Sequence, residues 1–326
     1  IIGRLKVLAD LLTYRTDVPQ EGRIRTGDER VEMRVSTFPT IHGEKAVVRL
    51  FVGSGQFRHL DNLGLPGDVH ANLTRLLTLT TGAVLVAGPA GSGKTTTLYA
   101  ALRHVLQHSP TPRSIVTLED PVEAVVAGVT QSQVSSSGGL GYANGLRSLM
   151  RQDPEVIMVG EIRDQETAGT VFQAALTGQL VLSSFHAGSC AEAVSRLLDL
   201  GVEPYLLRSG LLAVITQRLV RRLCTCARTA TEPDDGFALA AGDYQIPAGC
   251  PTCRQTGYAG RLLLCESLDP RQADIGRAIQ QRRDADSLEA IASAAGMIPV
   301  RRRALDAIRE HGTSPGEVRR VLGERG

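Results

Sequence analysis

The run "AVLVAGPAGSGKTTTLYAALRHVL" restricts the fold of this chain more than any other stretch. It places four residues between Gly88 and the run Gly93, Lys94 and Thr95, the spacing G-x-x-x-x-G-K-T. The apolar residues Ala83 to Ala87 precede it and read as a buried strand. Leu98, Ala101, Leu102 and Val105 follow at helical spacing and predict a helix with one face on a sheet. Glycines let backbone amides close around phosphate oxygens where a Cβ would obstruct them. Lys94 then reaches the outer phosphates, the Thr95 hydroxyl holds Mg²⁺, and the helix N-terminus adds partial positive charge. Gly88, Pro89, Ala90, Gly91, Ser92, Gly93, Lys94, Thr95 and Thr96 form the expected binding loop for a nucleoside triphosphate. The alternative, a chance glycine turn, does not explain a full motif set between a strand and a helix.

From Gly82 to about Leu223 short apolar strands alternate with helices: "AVLVAG", "SIVTLED", "EVIMVGE" and "QLVLSSFH". Such runs are how buried parallel strands read, and an α/β layered core follows. Polar groups stand where these strands end. "IVTLEDPVE" presents Glu119, Asp120 and Glu123, "VIMVGEIRD" presents Glu161, Arg163 and Asp164, and "LVLSSF" runs into His186. Singly, each is a solvated strand end or a helix cap. Three consecutive strand ends beside a phosphate loop point instead to phosphoryl-transfer chemistry, which needs carboxylates and positive charge near the terminal phosphate.

Together "GPAGSGKTTTLY", "LEDPVE", "GLRSLMRQDPEVIMVGEIRDQETA", "LTGQLVLSSFHAGSCAEAVSRLLDLGV" and "QRLVRRLC" resemble the type II secretion and type IV pilus assembly ATPases. The resemblance runs nearly end to end, since "RVSTFPTIHGEKAVVRL" looks like that family's second N-terminal domain and "GYAGRLLLCESL" like its C-terminal region. It implies a RecA-like P-loop core with a smaller N-terminal α+β domain over 1–65, the ATPase core over 66–223, a tetracysteine subdomain over 224–262 and a C-terminal helical subdomain over 263–326. It implies a homohexamer that binds ATP and Mg²⁺ between the N-terminal domain and the core. Carried over by position, Glu119, Asp120 and Glu123 fall in an acidic box, with Glu119 expected to orient the attacking water. Glu161 becomes the Walker B glutamate and His186 a contact for the terminal phosphate. Arg34 and Arg49 match arginines that approach the phosphates, and Arg147 and Arg151 match those of the "LRxxLRQDP" segment; for these four, surface ion pairing is the alternative. The family usually reads "LSTLHTND" where this chain has "LSSFHAGS".

Four of the six cysteines form two tight pairs, Cys224 with Cys226 in "RRLCTCAR" and Cys250 with Cys253 in "CPTC". Zn²⁺ takes four thiolates, and the C-x₂-C knuckle suits it. The single residue inside "CTC" makes it harder for both thiolates to reach one ion, so a metal-free loop and a disulfide stay open beside the zinc reading. Cys190 and Cys265 read as buried thiols. A cysteine-bearing insert after "RLVRRL" resembles the assembly and secretion branch, whereas retraction ATPases typically lack it.

The 326 residues suggest two or three domains, and the chain opens without Met in what reads as mid-helix, so a longer protein is expected. A net charge of +2 and an aromatic content of 4% offer neither a basic stripe nor stacking residues, so no nucleic acid is expected. No apolar run nears the roughly 20 residues of a membrane span. The family places such a protein in the cytoplasm, peripheral to the inner membrane, with membrane-platform and docking proteins as partners. "QRLVRR" and Arg301 to Arg303 are basic runs that could touch anionic lipid. A retraction ATPase, a RecA-like nucleic-acid translocase and a non-hydrolysing scaffold are the competing readings.

Overall fold

A computed structural model describes residues 1–25, 31–52, 57–134 and 140–323. The chain divides into two compact units, residues 1–58 and 59–326. The first carries helix α1 (Ile2–Leu8) and an antiparallel sheet of β1 (Gln20–Arg25), β2 (Val31–Thr40) and β3 (Gly43–Val52), in the order β1-β2-β3. Strands β2 and β3 follow the alternating runs of the sequence and close as a hairpin with Thr40 opposite Gly43. Gly43 has φ of 108°, a conformation that a side chain would strain. The unit has a small core, Ala9, Ile24 and Val35, and its buried Lys6 pairs with Glu44.

In the second unit α2 (Gly67–Leu77) leads into β4 (Gly82–Ala87) and α3 (Lys94–His108). Then come β5 (Ile115–Glu119), β6 (Thr130–Gln133), α4 (Tyr142–Leu149), β7 (Val156–Val159), α5 (Gln165–Leu176), β8 (Leu180–Phe185), α6 (Cys190–Asp199) and α7 (Pro204–Gly210). Strand β9 (Leu211–Leu223) enters a loop region with the short ladder β10 (Arg228–Thr229) and β11 (Gln245–Ile246), and β12 (Tyr258–Leu268) leaves it. Four helices finish the chain: α8 (Ala273–Gln280), α9 (Ala285–Ala294), α10 (Val300–Arg309) and α11 (Pro315–Leu322).

The seven-stranded sheet has the order β12-β9-β4-β8-β7-β5-β6. Neighbours from β9 to β6 pair in parallel, and β12 pairs antiparallel with β9. Pleating divides each buried strand between two cores. Ala83, Leu85 and Ala87 of β4 join one core with Val171, Phe172, Val194 and Leu197, whereas Val84 and Val86 join the other with Leu98, Leu102, Leu73 and Leu76. A third cluster, including Val220, Leu264, Ala304, Ile308 and Val318, sits where β9 and β12 meet α10 and α11.

Strands β4, β5, β7 and β8 coincide with the apolar runs that announce them. Strands β9 and β12 have no counterpart in the sequence reading, which takes residues 263–326 as helical; residues 263–268 are instead the end of β12. The "QRLVRRL" half of β9 mixes charge with Leu and Val, and only its pairing with β12 makes it a strand. At the start of α11 the residues Ser314 and Glu317 have the spacing of a capping box, which is half formed. Ser314 Oγ accepts from Glu317 N at 3.2 Å. The Glu317 carboxylate turns away and accepts from Arg221 N, Nε and NH2 and from Arg320 Nε and NH2, at 2.6 to 2.9 Å.

Candidate nucleotide site and cysteine centre

Strand β4 delivers the glycine loop to the C-terminal edge of the sheet, at the strand from which the chain departs to one side and to which it returns on the other. Gly88, Gly91 and Gly93 all have positive φ. At Gly88 a Cβ would stand 2.5 Å from Ser92 Oγ and 2.6 Å from the Gln217 carbonyl, so only glycine fits. Lys94 is nearly buried and folds over the loop, donating to the carbonyls of Gly88 at 2.9 Å and Pro89 at 3.0 Å. Burial lowers its pKa and Arg218 adds to that, while Glu161 opposes it. Ser92 Oγ is buried with no hydrogen-bond partner among the described residues, and Thr95 and Thr96 are exposed on the first turn of α3. A cradle closed to Cβ atoms, a lysine within reach of it and an orphaned hydroxyl are what a phosphate chain would satisfy. The loop residues fit the predicted ligand.

Beside the loop the ends of β7 and β8 meet. Glu161 pairs with Arg163, and its other oxygen lies 3.4 Å from His186 Nε2. Arg163 also reaches Asp120 at 3.5 Å. The His186 turn is held by its own helix and by β9: Arg196 NH1 donates to His186 O at 2.5 Å, and Arg218 NH2 to Gly188 O at 2.8 Å. Asp164 acts as the N-cap of α5, accepting from Thr167 N at 2.7 Å. Tyr142 lies over this cluster, 2.8 Å from where a Cβ on Gly160 would be, and burial with the charges of Glu161 and Asp120 raises its pKa.

Glu119 stands apart from the solvent-facing groups, with 2% exposure. Tyr99 Oη donates to its Oε2 at 2.5 Å, and Thr117 Oγ1 and Gln131 Nε2 donate to its Oε1 at 2.6 and 3.0 Å. The Tyr99 oxygen in turn accepts from Glu123 N at 2.9 Å and Ala124 N at 3.3 Å. Burial and this carboxylate raise the Tyr99 pKa. The acidic loop is thereby tied to α3, the helix that begins at Lys94. Spacing alone does not reveal Tyr99, although its place in the α3 stripe next to Leu98 could have drawn attention to it.

Arg147 and Arg151 find their partners outside this cluster. Arg147 pairs with Glu166 at 2.8 Å and with Asn144, and Arg151 donates to Arg147 O and Ser148 Oγ, so both are satisfied along α4 and α5. Arg34 and Arg49 belong to the first unit, directly opposite each other on β2 and β3.

The four paired cysteines come together. Their sulfurs all lie within 4.8 Å of one another, with Cys224–Cys250 and Cys226–Cys253 at 3.9 Å and Cys250–Cys253 at 3.7 Å. A tetrahedron with metal–sulfur bonds of about 2.3 Å sets sulfurs about 3.8 Å apart. Amides of Cys250 and Gly257 each donate to Cys253 Sγ at 3.2 Å, as in a knuckle; against the effect of burial they bring that thiol down to about 6. "CTC" serves the set because its two members reach different sulfurs of the "CPTC" knuckle. Cys190 and Cys265 are buried, as expected, and burial raises both thiols.

A parallel sheet with strand β4 between β8 and β9, a phosphate cradle at its edge and acidic strand ends alongside define a RecA-like P-loop core, here carrying a tetracysteine loop. The chain belongs to the Type II/IV secretion system protein family, whose model matches residues 1–320. It is 43% identical over 323 residues to the type II secretion system protein HxcR of Pseudomonas aeruginosa, covering 98% of this chain and 66% of that one. It is 40% identical over 336 residues to the type IV pilus assembly ATPase TfpB of Acinetobacter baylyi, covering 99% and 56%. The chain thus spans between half and two thirds of these relatives. The crystal structure of the pilus retraction motor PilT with bound ADP shares the fold, with a TM-score of 0.67 at 24% identity over 92% of this chain and 76% of that one.

Proposed function

We propose that the chain is the ATP-hydrolysing part of a motor that drives assembly of pilin-like filaments, in type II secretion or type IV pilus extension. The observation that carries this reading is the Glu161–His186–Arg163 cluster set beside a complete phosphate loop. Phosphoryl transfer to water is chiefly a matter of positioning and charge stabilisation. Lys94 releases the Gly88 and Pro89 carbonyls to hold the outer phosphates, with Ser92 Oγ and the loop amides around them. Thr95 and Glu161 would hold Mg²⁺, which when bound neutralises charge on the phosphates. Glu161 and Glu123 orient water, and His186 meets the terminal phosphate. Glu119, its oxygens already engaged, anchors the acidic loop. Arg34 and Arg49 are the proposed contribution of the first unit, supported by their places directly opposite each other on β2 and β3 and by the family resemblance. Arg147 and Arg151 are the least supported members of the set, since each has partners on its own helix or the next.

Zn²⁺ at Cys224, Cys226, Cys250 and Cys253 is proposed as a structural centre, supported by the sulfur separations. The tetracysteine loop also favours the assembly branch over the retraction branch. We extend this reading, on the family resemblance, to a homohexamer at the cytoplasmic face of the inner membrane, with platform and docking proteins as partners and anionic lipid as a contact. Among the described residues no helix is long and apolar enough to cross a membrane. ATP turnover tests the reading: Lys94→Ala and Glu161→Gln are expected to lower kcat at least about 100-fold. Turnover at the wild-type rate in either variant refutes it.

A further inference from the structure

Arg218 belongs to none of the motifs that identify the phosphate site, yet it is built into that site from β9. Strand β9 pairs in parallel with β4 as far as Thr216 opposite Ala87, so the next residues, Gln217 and Arg218, run alongside Gly88 and Pro89. The approach is close. The Gln217 carbonyl is one of the two groups that exclude a Cβ at Gly88, and Leu219 Cδ1 lies 3.7 Å from where a Cβ on Gly93 would be. Alternation along the strand sends the Gln217 side chain to α3, where it donates to Thr97 Oγ1 at 2.8 Å. Arg218 goes to the opposite face, towards the turn that follows His186.

Among the described residues the guanidinium of Arg218 donates only to carbonyls. NH2 donates to Gly188 O at 2.8 Å, NH1 to Gln217 O at 3.4 Å, and Nε is buried with no hydrogen-bond partner. The carboxylates whose charge it feels are Glu192 and Glu266, and both are committed elsewhere. Glu192 accepts from Gly188 N and pairs with Arg196, and Glu266 accepts from Cys190 N at 2.7 Å and Val300 N at 2.8 Å. A half-buried cation with no carboxylate of its own among the described residues is costly to hold and gains most from an anion arriving nearby. The anion such a place can receive is the outer part of a triphosphate at Lys94, whose charge Arg218 already influences.

We propose that Arg218 is a positioning residue that couples the terminal phosphate of a bound nucleoside triphosphate to the His186 turn through the Gly188 carbonyl. The inference rests on the reading of the loop as an ATP site. Attraction towards the added phosphate shifts the guanidinium, and the carbonyl two residues after His186 moves with it. A nucleoside diphosphate lacks that phosphate and leaves the turn as it is. Arg218 therefore contributes to discrimination between ATP and ADP as well as to turnover.

The test uses the whole chain with ATP, a non-hydrolysable ATP analogue and ADP. Arg218→Ala is expected to weaken analogue binding about tenfold while ADP binding stays within twofold, and to lower kcat about tenfold or more with the melting temperature little changed. Arg218→Lys keeps the charge but not the fork, and is expected to recover less than half of the lost turnover. Combined with His186→Ala, Arg218→Ala is expected to add little further loss, because the two act as one unit. The proposal is overturned if Arg218→Ala leaves the ATP-to-ADP preference within twofold of wild type, or if its effect multiplies fully with that of His186→Ala. If Arg218→Ala does not fold, Arg218→Lys decides: unaltered preference and turnover overturn the proposal. A wild-type chain that binds no ATP overturns the nucleotide reading and this inference with it, whereas wild-type binding with an unaltered variant overturns this inference alone.

Discussion

At the residue scale, the least expected arrangement is that of Glu119. It is visible in the sequence as an acidic strand end, but its surroundings are not, because Tyr99, Thr117 and Gln131 come to it from α3, β5 and β6. A carboxylate with both oxygens taken by neutral donors is an anchor, and the one it holds most closely is Tyr99. Tyr99→Phe removes a donor to Glu119 and the acceptor for the amides of Glu123 and Ala124. It is expected to cost about 1–3 kcal/mol of stability, the range for leaving a buried polar group unpaired. Denaturant unfolding would show this, and steady-state kinetics would show kcat falling more than KM changes, since the acidic loop loses its register and Lys94 does not. Arg34 and Arg49 illustrate the opposite case. Their types are legible in "RVSTF" and "VVRLF", and the hairpin register sets them side by side without any long-range contact.

At the element scale, α11 and the cysteine loop are fastened to the same strand ends. Arg221 lies 4.0 Å above the Tyr258 ring, Tyr258 Oη contacts Ser314 Oγ at 2.7 Å, and Arg319 pairs with Asp234 at 2.8 Å. Protein purified without chelator is expected to carry about one equivalent of zinc, and elemental analysis showing less than a tenth of an equivalent would exclude the centre. Removing the metal, or Cys226→Ser, is expected to lower the melting temperature by several degrees while ATP binding persists, because the cysteines lie outside the phosphate site. Glu317 gives the pH dependence. Burial opposes its ionisation, but Arg320 and Arg221 hold its carboxyl down at about 2. In the unfolded chain it titrates at about 4.3. Its contribution is therefore complete above that pH and is lost as the pH falls towards 2. With Arg320 open to solvent, the effect is on the order of 1 kcal/mol. Glu317→Gln is expected to be less stable than wild type at pH 7 and to converge with it near pH 2, as thermal melts across that range would show.

At the scale of the whole molecule, the two units differ in how far they can support themselves. Among the described residues the three large hydrophobic clusters all lie within residues 59–326, whereas the cluster in residues 1–58 is Ala9, Ile24 and Val35 with a few half-buried neighbours, and Val48 and Leu50 are exposed. Residues 59–326 expressed alone are expected to melt cooperatively, and residues 1–58 alone are not, since so small a core cannot offset the entropy of ordering the chain. Circular dichroism on the two pieces would decide it. The amino-acid sequence by itself determined the parallel α/β core, the phosphate loop and the polar groups at its strand ends. Those features rest on local patterns: apolar runs, a fixed glycine spacing and the helix that follows. Tertiary structure alone decided that β9 and β12 extend the sheet, that "CTC" and "CPTC" place four sulfurs around one point, that Glu119 is sealed under Tyr99, and that Arg218 reaches the His186 turn. Each of those depends on residues tens of positions apart brought together by burial and strand pairing, and no local period in a sequence encodes such a meeting.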